Sequence, residues 1–273
     1  MIITTSDGVE LYCESEGNGT PIVFVHEFSG TCRSFDLQRA AFSAGHRCIS
    51  FNARGYPPSD VPADVSSYSQ DIAARDIVEV MDGLGLPQAH LVGVSMGAAS
   101  SLQVALKHPN RVLSATLASI GTGSDAKPQD NEAAMETMAK LIESRGTAGL
   151  AATMGNSPSR RRLKDSNPAE FARFIEELKT LSAQGLANTM RGVQKRRAPI
   201  YAHADELAAL RVPLLIVFGG DDAGCRGPSL FLKEVVEGAK LHEFPHTGHL
   251  VNIEQAKMFN DVVSRFIAEA DSL

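Results

Sequence analysis

The chain has 273 residues, with 26 Lys plus Arg against 32 Asp plus Glu, a formal net charge of −6. Its composition, 43% hydrophobic and 21% charged, is that of an ordinary globular protein and argues against a disordered, collagen-like or coiled-coil chain. The acidic balance argues against a general nucleic-acid binder, and the length suits one large α/β domain, alone or with an inserted lobe.

Cys13, Cys32, Cys48 and Cys225 form no CxxC pair and no zinc-type spacing with histidine, so they read as buried thiols in a reducing compartment. Met1–Gly8 has no basic segment followed by an apolar run, so no signal peptide is expected. No stretch approaches the roughly 18 apolar residues of a membrane span. The expectation is a cytoplasmic protein with no membrane partner.

Asp7-Gly8 reads as a turn before a short strand over Val9–Glu14. Pro21–Val25 and Arg47–Phe51 are compact β-rich runs, followed by His26-Glu27-Phe28-Ser29-Gly30 and Asn52-Ala53-Arg54-Gly55. Continuous apolar runs suit strands covered on both faces, as in a parallel sheet. Ile72, Ala73, Ile77, Val80 and Met81 recur at helical spacing within Gln70–Leu84, and Gly83, Gly85 and Pro87 mark the stop. His90–Val94 is a strand, Ser95-Met96-Gly97 a turn, Ala98–Lys107 a helix and Arg111–Ser119 a strand. This alternation predicts a doubly wound, mostly parallel sheet.

From Gly121 to Leu210 the pattern changes. Ala133–Ser144 and Ala169–Leu181 look helical, with Gly146, Gly155, Pro158 and Pro168 as separators and no convincing strand. The segment reads as a helical lobe inserted into the core. It carries two basic clusters, Arg160-Arg161-Arg162-Leu163-Lys164 and Lys195-Arg196-Arg197. Strand signal returns at Val212–Phe218. A helix near Ser229–Glu237, a strand at Lys240–Phe244 and a helix over Ala256–Glu269 follow.

Gly93-Val94-Ser95-Met96-Gly97 is a G-x-S-x-G between a strand and a helix, the context of a nucleophile elbow. A sharp strand-to-helix turn leaves no room for side chains at its flanks and pushes Ser95 out at the carboxyl edge of the sheet. The helix N-terminus beneath it favours developing negative charge. The plain alternative is a glycine-rich turn with an incidental serine. A serine hydroxyl needs a base, and His249, in a loop after the last expected strand, is the candidate. His242 and His246 read as surface or packing residues. The imidazole needs an orienting carboxylate. Asp221 and Asp222 both follow the strand ending at Phe218. Gly219-x-x-Asp222 favours Asp222, and Asp125 is a third choice.

With these residues in hand, the chain resembles the α/β-hydrolase superfamily, in the branch of esterases, enol-lactonases and C–C hydrolases that carries a helical cap. The order Ser95…Asp222…His249 is that superfamily's order. The resemblance implies an α/β-hydrolase core over residues 1–120 and 211–273 and a helical cap over 121–210. It implies a Ser95–His249–Asp222 triad, an oxyanion hole of the Phe28 and Met96 N–H groups, and no metal or other cofactor. The partner it implies is a small-molecule ester or lactone cleaved through an acyl-enzyme on Ser95. C–C or amide hydrolysis and a ligand receptor on a hydrolase scaffold are the alternatives. Three features depart from the family pattern: Glu27 stands where glycine is common, Asn52-Ala53-Arg54-Gly55-Tyr56-Pro57 replaces an Asp-x-Arg-Gly-x-Gly segment, and tryptophan is absent. The first departure leaves Glu27 facing solvent, orienting His26 or contacting a substrate cation. Arg54 is expected to brace loops, Tyr56 to line the pocket mouth, and Arg160, Arg161 or Arg162 to attract a carboxylated substrate or merely coat the lobe.

Overall fold

A computed structural model describes residues 1–272. Its strands are β1 (Ile2–Thr4), β2 (Glu10–Glu16), β3 (Thr20–Val25), β4 (His46–Phe51), β5 (Ala89–Val94), β6 (Val112–Ala118), β7 (Leu214–Gly219) and β8 (Lys240–Phe244). They form one eight-stranded sheet in the order β1-β2-β4-β3-β5-β6-β7-β8. β2 runs antiparallel to both its neighbours, and every pairing from β4 to β8 is parallel. β5 and β7 are buried along their whole length, which is why they read as unbroken apolar runs.

The helices are α1 (Asp36–Phe42), α2 (Gln70–Gly83), α3 (Met96–Lys107), α4 (Pro128–Gly155), α5 (Pro158–Ser166), α6 (Pro168–Thr180), α7 (Ala183–Thr189), α8 (Ala204–Ala209), α9 (Ala223–Val235), α10 (Val251–Glu254) and α11 (Ala256–Ala270). Two apolar layers sandwich the sheet. In one, Phe24 and Ile22 pack with Phe42 of α1 and with Phe259 and Val263 of α11, and the layer continues upward into Leu150, Leu163 and Leu178 of the inserted helices. In the other, Val23 and Leu91 pack with Ile77 of α2, Leu102 of α3 and Leu232 of α9. No described helix is long and apolar enough to cross a membrane.

Between β6 and β7 the described residues form helices and turns with no strand. α4 runs 28 residues through a kink at Gly146, φ 63°, so this glycine bends the helix where a break was expected. Pro158 and Pro168 open α5 and α6, where a missing N–H costs nothing, rather than merely separating helices. α9 starts at Ala223, not near Ser229, and tolerates Pro228 within its first two turns.

The register aligns the carboxyl ends of the parallel strands. Val25 faces Phe51 and Gly93, Ala118 faces Val94 and Val217, and Gly219 faces Phe244. Residues just past these ends therefore share one edge of the sheet, where ligands of open α/β sheets bind.

Candidate active site

Ser95 sits between β5 and α3 with φ 53° and ψ −109°, a conformation that non-glycine residues rarely adopt. The flanking sequence makes it possible. A Cβ on Gly93 would lie 2.4 Å from Gly97 O, and one on Gly97 would lie 2.0 Å from Val25 O. The turn is pinned by the Ser95 N–H donating to Ala118 O at 2.8 Å.

His249 lies in the loop between β8 and α10 and is fixed from several directions. Its carbonyl accepts from Ser119 Oγ at 2.7 Å, and its N–H donates to Ser159 O of α5 at 3.1 Å. Glu254 accepts the neighbouring Gly248 and Leu250 N–H groups. His249 Nδ1 lies 2.6 Å from Asp222 Oδ2. Burial drives the Asp222 carboxyl upward, but the His249 hydrogen bond and nearby positive charge win and hold it below its ordinary value. Asp222 is therefore an anion able to orient the ring and to stabilise its protonated form.

Asp221 does something else. Its N–H donates to Thr247 O at 3.0 Å and its carboxylate pairs with Arg162 on the outside of the molecule. Asp125 accepts from the Tyr201 hydroxyl. His246 is exposed, and the His242 ring packs edge-on against Phe244 at 4.7 Å.

Ser95, Asp222 and His249 line one cavity of about 350 Å³ under the inserted helices. Among the described residues no hydrogen bond joins Ser95 Oγ to His249. Such bonds are commonly long before substrate arrives. Phe28 shares the cavity, whose wall is rich in thioethers from Met135, Met138, Met154 and Met190.

The peptides near Phe28 are oriented by buried side chains. His26 Nε2 accepts the Ala53 N–H at 3.0 Å, so its Nδ1 carries the proton and donates to Glu27 O at 2.7 Å. Gly30 N–H donates to the same carbonyl. In a trans peptide the Phe28 N–H then points the opposite way. Met96 opens α3, so its N–H has no partner within the helix.

Tyr56 is not at the pocket mouth. It is wholly buried, and its hydroxyl donates to Phe28 O at 2.8 Å while its ring stacks edge-on against His26 at 4.6 Å. Arg54 braces loops through a bidentate pair with Asp76 and a second with Asp7. Asn52 ties Cys32 N–H to Pro57 O. Glu27 does not face solvent. It is 1% exposed and lines the cavity. Of the first arginine cluster only Arg160 reaches that cavity, 4% exposed. Arg161 is exposed and absent from the lining, and Arg162 is spent on Asp221. A nine-residue helix can bury only one flank, so three successive arginines must diverge.

Two contributors escaped sequence reasoning. Arg197 reaches the cavity from the second basic cluster and donates to Thr122 O at 3.1 Å. Cys225 Sγ lies 3.9 Å from His249 Nδ1, and its offset of three from Asp222, one turn into α9, was the available signal. Asp222, Cys225 and His249 place their donor atoms within 4.8 Å of one another.

A family model described as the alpha/beta hydrolase fold matches residues 20–256. The chain is 28% identical to the 2-hydroxymuconate semialdehyde hydrolase of Pseudomonas putida over 97% of this chain and 93% of that one. It is 26% identical to 3-oxoadipate enol-lactonase 1 of Acinetobacter baylyi, over 98% and 96% of the two chains. The crystal structure of the enol-lactonase from Burkholderia xenovorans LB400 superposes with a TM-score of 0.85 at 20% identity, covering 98% of this chain and 100% of that one. With the matched family model spanning most of its length and the sheet order given above, the chain belongs to the alpha/beta hydrolase fold family and is a hydrolase of small molecules.

Proposed function

We propose that this hydrolase cleaves a carboxylic ester or lactone through an acyl-enzyme on Ser95. His249 takes the Ser95 proton as Oγ attacks the carbonyl carbon. Asp222 holds the ring by its Nδ1–H, so that Nε2 is the basic nitrogen. The N–H groups of Phe28 and Met96 stabilise the oxyanion. The proton then passes to the leaving oxygen, and water activated by His249 releases the acid. The helical segment 121–210 acts as a cap that closes the site from solvent. The observation that carries the reading is the 2.6 Å His249–Asp222 hydrogen bond in the cavity that Ser95 also lines.

The reading extends to the substrate. Arg160 is the one member of its cluster inside the cavity, and a guanidinium stays charged even when burial lowers its pKa. It takes a substrate carboxylate. A C–C bond hydrolase with the same three residues is the second reading, favoured by the likeness to a semialdehyde hydrolase.

The test is hydrolysis of p-nitrophenyl acetate and butyrate by the wild type beside Ser95→Ala. Turnover lost by about four orders of magnitude or more in the variant supports the acyl-enzyme. Equal rates in the two proteins refute it. Wild-type inactivity on esters and lactones, with turnover of a vinylogous 1,5-diketone, moves the assignment to C–C cleavage.

A further inference from the structure

Glu27 is the least explained group in the cavity. Its Oε1 accepts from Ser34 Oγ at 3.1 Å, and its Oε2, fully buried, has no hydrogen-bond partner among the described residues. Buried carboxylate oxygens are ordinarily paired, because an unpaired one forfeits its hydration for nothing. A leucine here would avoid that cost, so the carboxylate calls for a partner from outside the chain.

Arg160 is in a similar state. Its guanidinium sits over the Phe174 ring at 5.7 Å, its sole side-chain hydrogen bond among the described residues is a long 3.5 Å contact to Ser159 Oγ, and its Nε is unpartnered. Burial pushes the Glu27 carboxyl above its ordinary value despite the opposing charge of Arg160, and no ion pair joins the two among the described residues. An acid and a base thus line one cavity without satisfying each other. Four thioethers, from Met135, Met138, Met154 and Met190, share that wall with polar side chains and with a second arginine, Arg197.

We propose that Glu27 is a specificity-determining residue that accepts a hydrogen bond from a hydroxyl or amine of the substrate, while Arg160 holds its carboxylate. The substrate class is then an ester or lactone of a dicarboxylic or similar acid that also carries a donor group. This rests on the hydrolase reading above. Glu27 directly precedes Phe28, so the donor lies close to the scissile carbonyl. The arrangement discriminates strongly, since an analogue lacking the donor leaves a buried carboxylate unpaired.

Binding to the Ser95→Ala protein tests this without requiring turnover. The probes are unsubstituted, ω-hydroxy and ω-amino carboxylates of three to six carbons, followed by titration calorimetry. At one chain length a donor-bearing probe is expected to bind about tenfold tighter than the plain acid. Glu27→Leu should abolish that ratio, and Arg160→Ala should weaken all three probes. Glu27→Gln keeps an acceptor oxygen and loses the charge, so it should keep the hydroxyl preference and lose the amine preference. It decides the matter if Glu27→Leu does not fold. Equal affinities at every length, or a preference that survives in both Glu27 variants, overturn the proposal. Loss of ester hydrolysis in the wild type would instead overturn the catalytic reading alone.

Discussion

The sheet edge and the inserted helices are built to different tolerances. At the sheet edge Ser95, Asp222 and His249 each follow a strand end or its loop, and bonds to the backbone fix each of them: Ser95 N–H to Ala118 O, Asp222 N–H to Gly219 O, Ser119 Oγ to His249 O. In the helices between β6 and β7, the cavity residues include the long side chains of Arg160, Met135, Met138 and Met154, held by packing rather than by a ladder. Thioethers adapt to ligands of different shape. The lesson is a division of labour. In the proposed mechanism, strand ends would supply fixed geometry for chemistry and the helical layer a replaceable wall for selectivity.

The largest expected effect separates two adjacent carboxylates. Asp222→Asn should lower kcat by roughly 10⁴, because an amide no longer selects the required His249 tautomer. Asp221→Asn, whose carboxylate pairs with Arg162 on the outside, should stay within about threefold of the wild type on the same ester. Comparable losses in both would erase the distinction between the fixed edge and its surroundings.

The core beneath the edge should be acid-sensitive. Burial lowers the His26 pKa to about 4, against an ordinary 6.5, so the ring is neutral when folded and accepts the Ala53 N–H. The unfolded chain takes up this proton first. The stability His26 confers is therefore complete above about pH 6.5 and lost as pH falls toward 4, by roughly 3 kcal/mol. Denaturant melts at pH 7 and pH 4.5 measure it. In His26→Gln, this part of the pH dependence should vanish.

The helical layer should change selectivity, not chemistry. Arg160→Ala should raise KM for an ester bearing a carboxylate by about tenfold to a hundredfold and leave a neutral ester little changed. Arg161→Ala should change neither. A KM rise of the same size on both esters would show that Arg160 supports the fold and not a substrate anion. The smallest effect belongs to Arg162→Ala, which removes a half-exposed ion pair and should cost about 0.5 kcal/mol in a thermal or denaturant melt.

Much of the core was legible because its signals are local. Buried parallel strands read as apolar runs, β8 at Lys240–Phe244 matched its expected bounds, and α2 and α11 matched within a residue or two. Gly93 and Gly97 announced the turn because the backbone carbonyls of Gly97 and Val25 occupy the space a Cβ would need. α1, α5 and α7 were not anticipated. Each is nine residues or shorter, too few turns to establish a period. Tyr56 was misplaced for a related reason: a tyrosine in a loop looks solvent-facing until His26 and the Phe28 carbonyl are known to lie beside it.

By itself, the sequence determined the α/β alternation, the helical insertion and the Ser95 elbow, since each follows from spacing along the chain and from what a turn can sterically hold. Only the tertiary structure decided that Asp222 and not Asp221 meets His249, that Arg160 alone of three arginines enters the cavity, and that Glu27 is buried with an oxygen unpaired. Those outcomes depend on which flank of a strand end or helix faces a partner distant in the chain, 27 residues for Asp222 and His249 and 59 for Asp221 and Arg162. No local pattern encodes that choice.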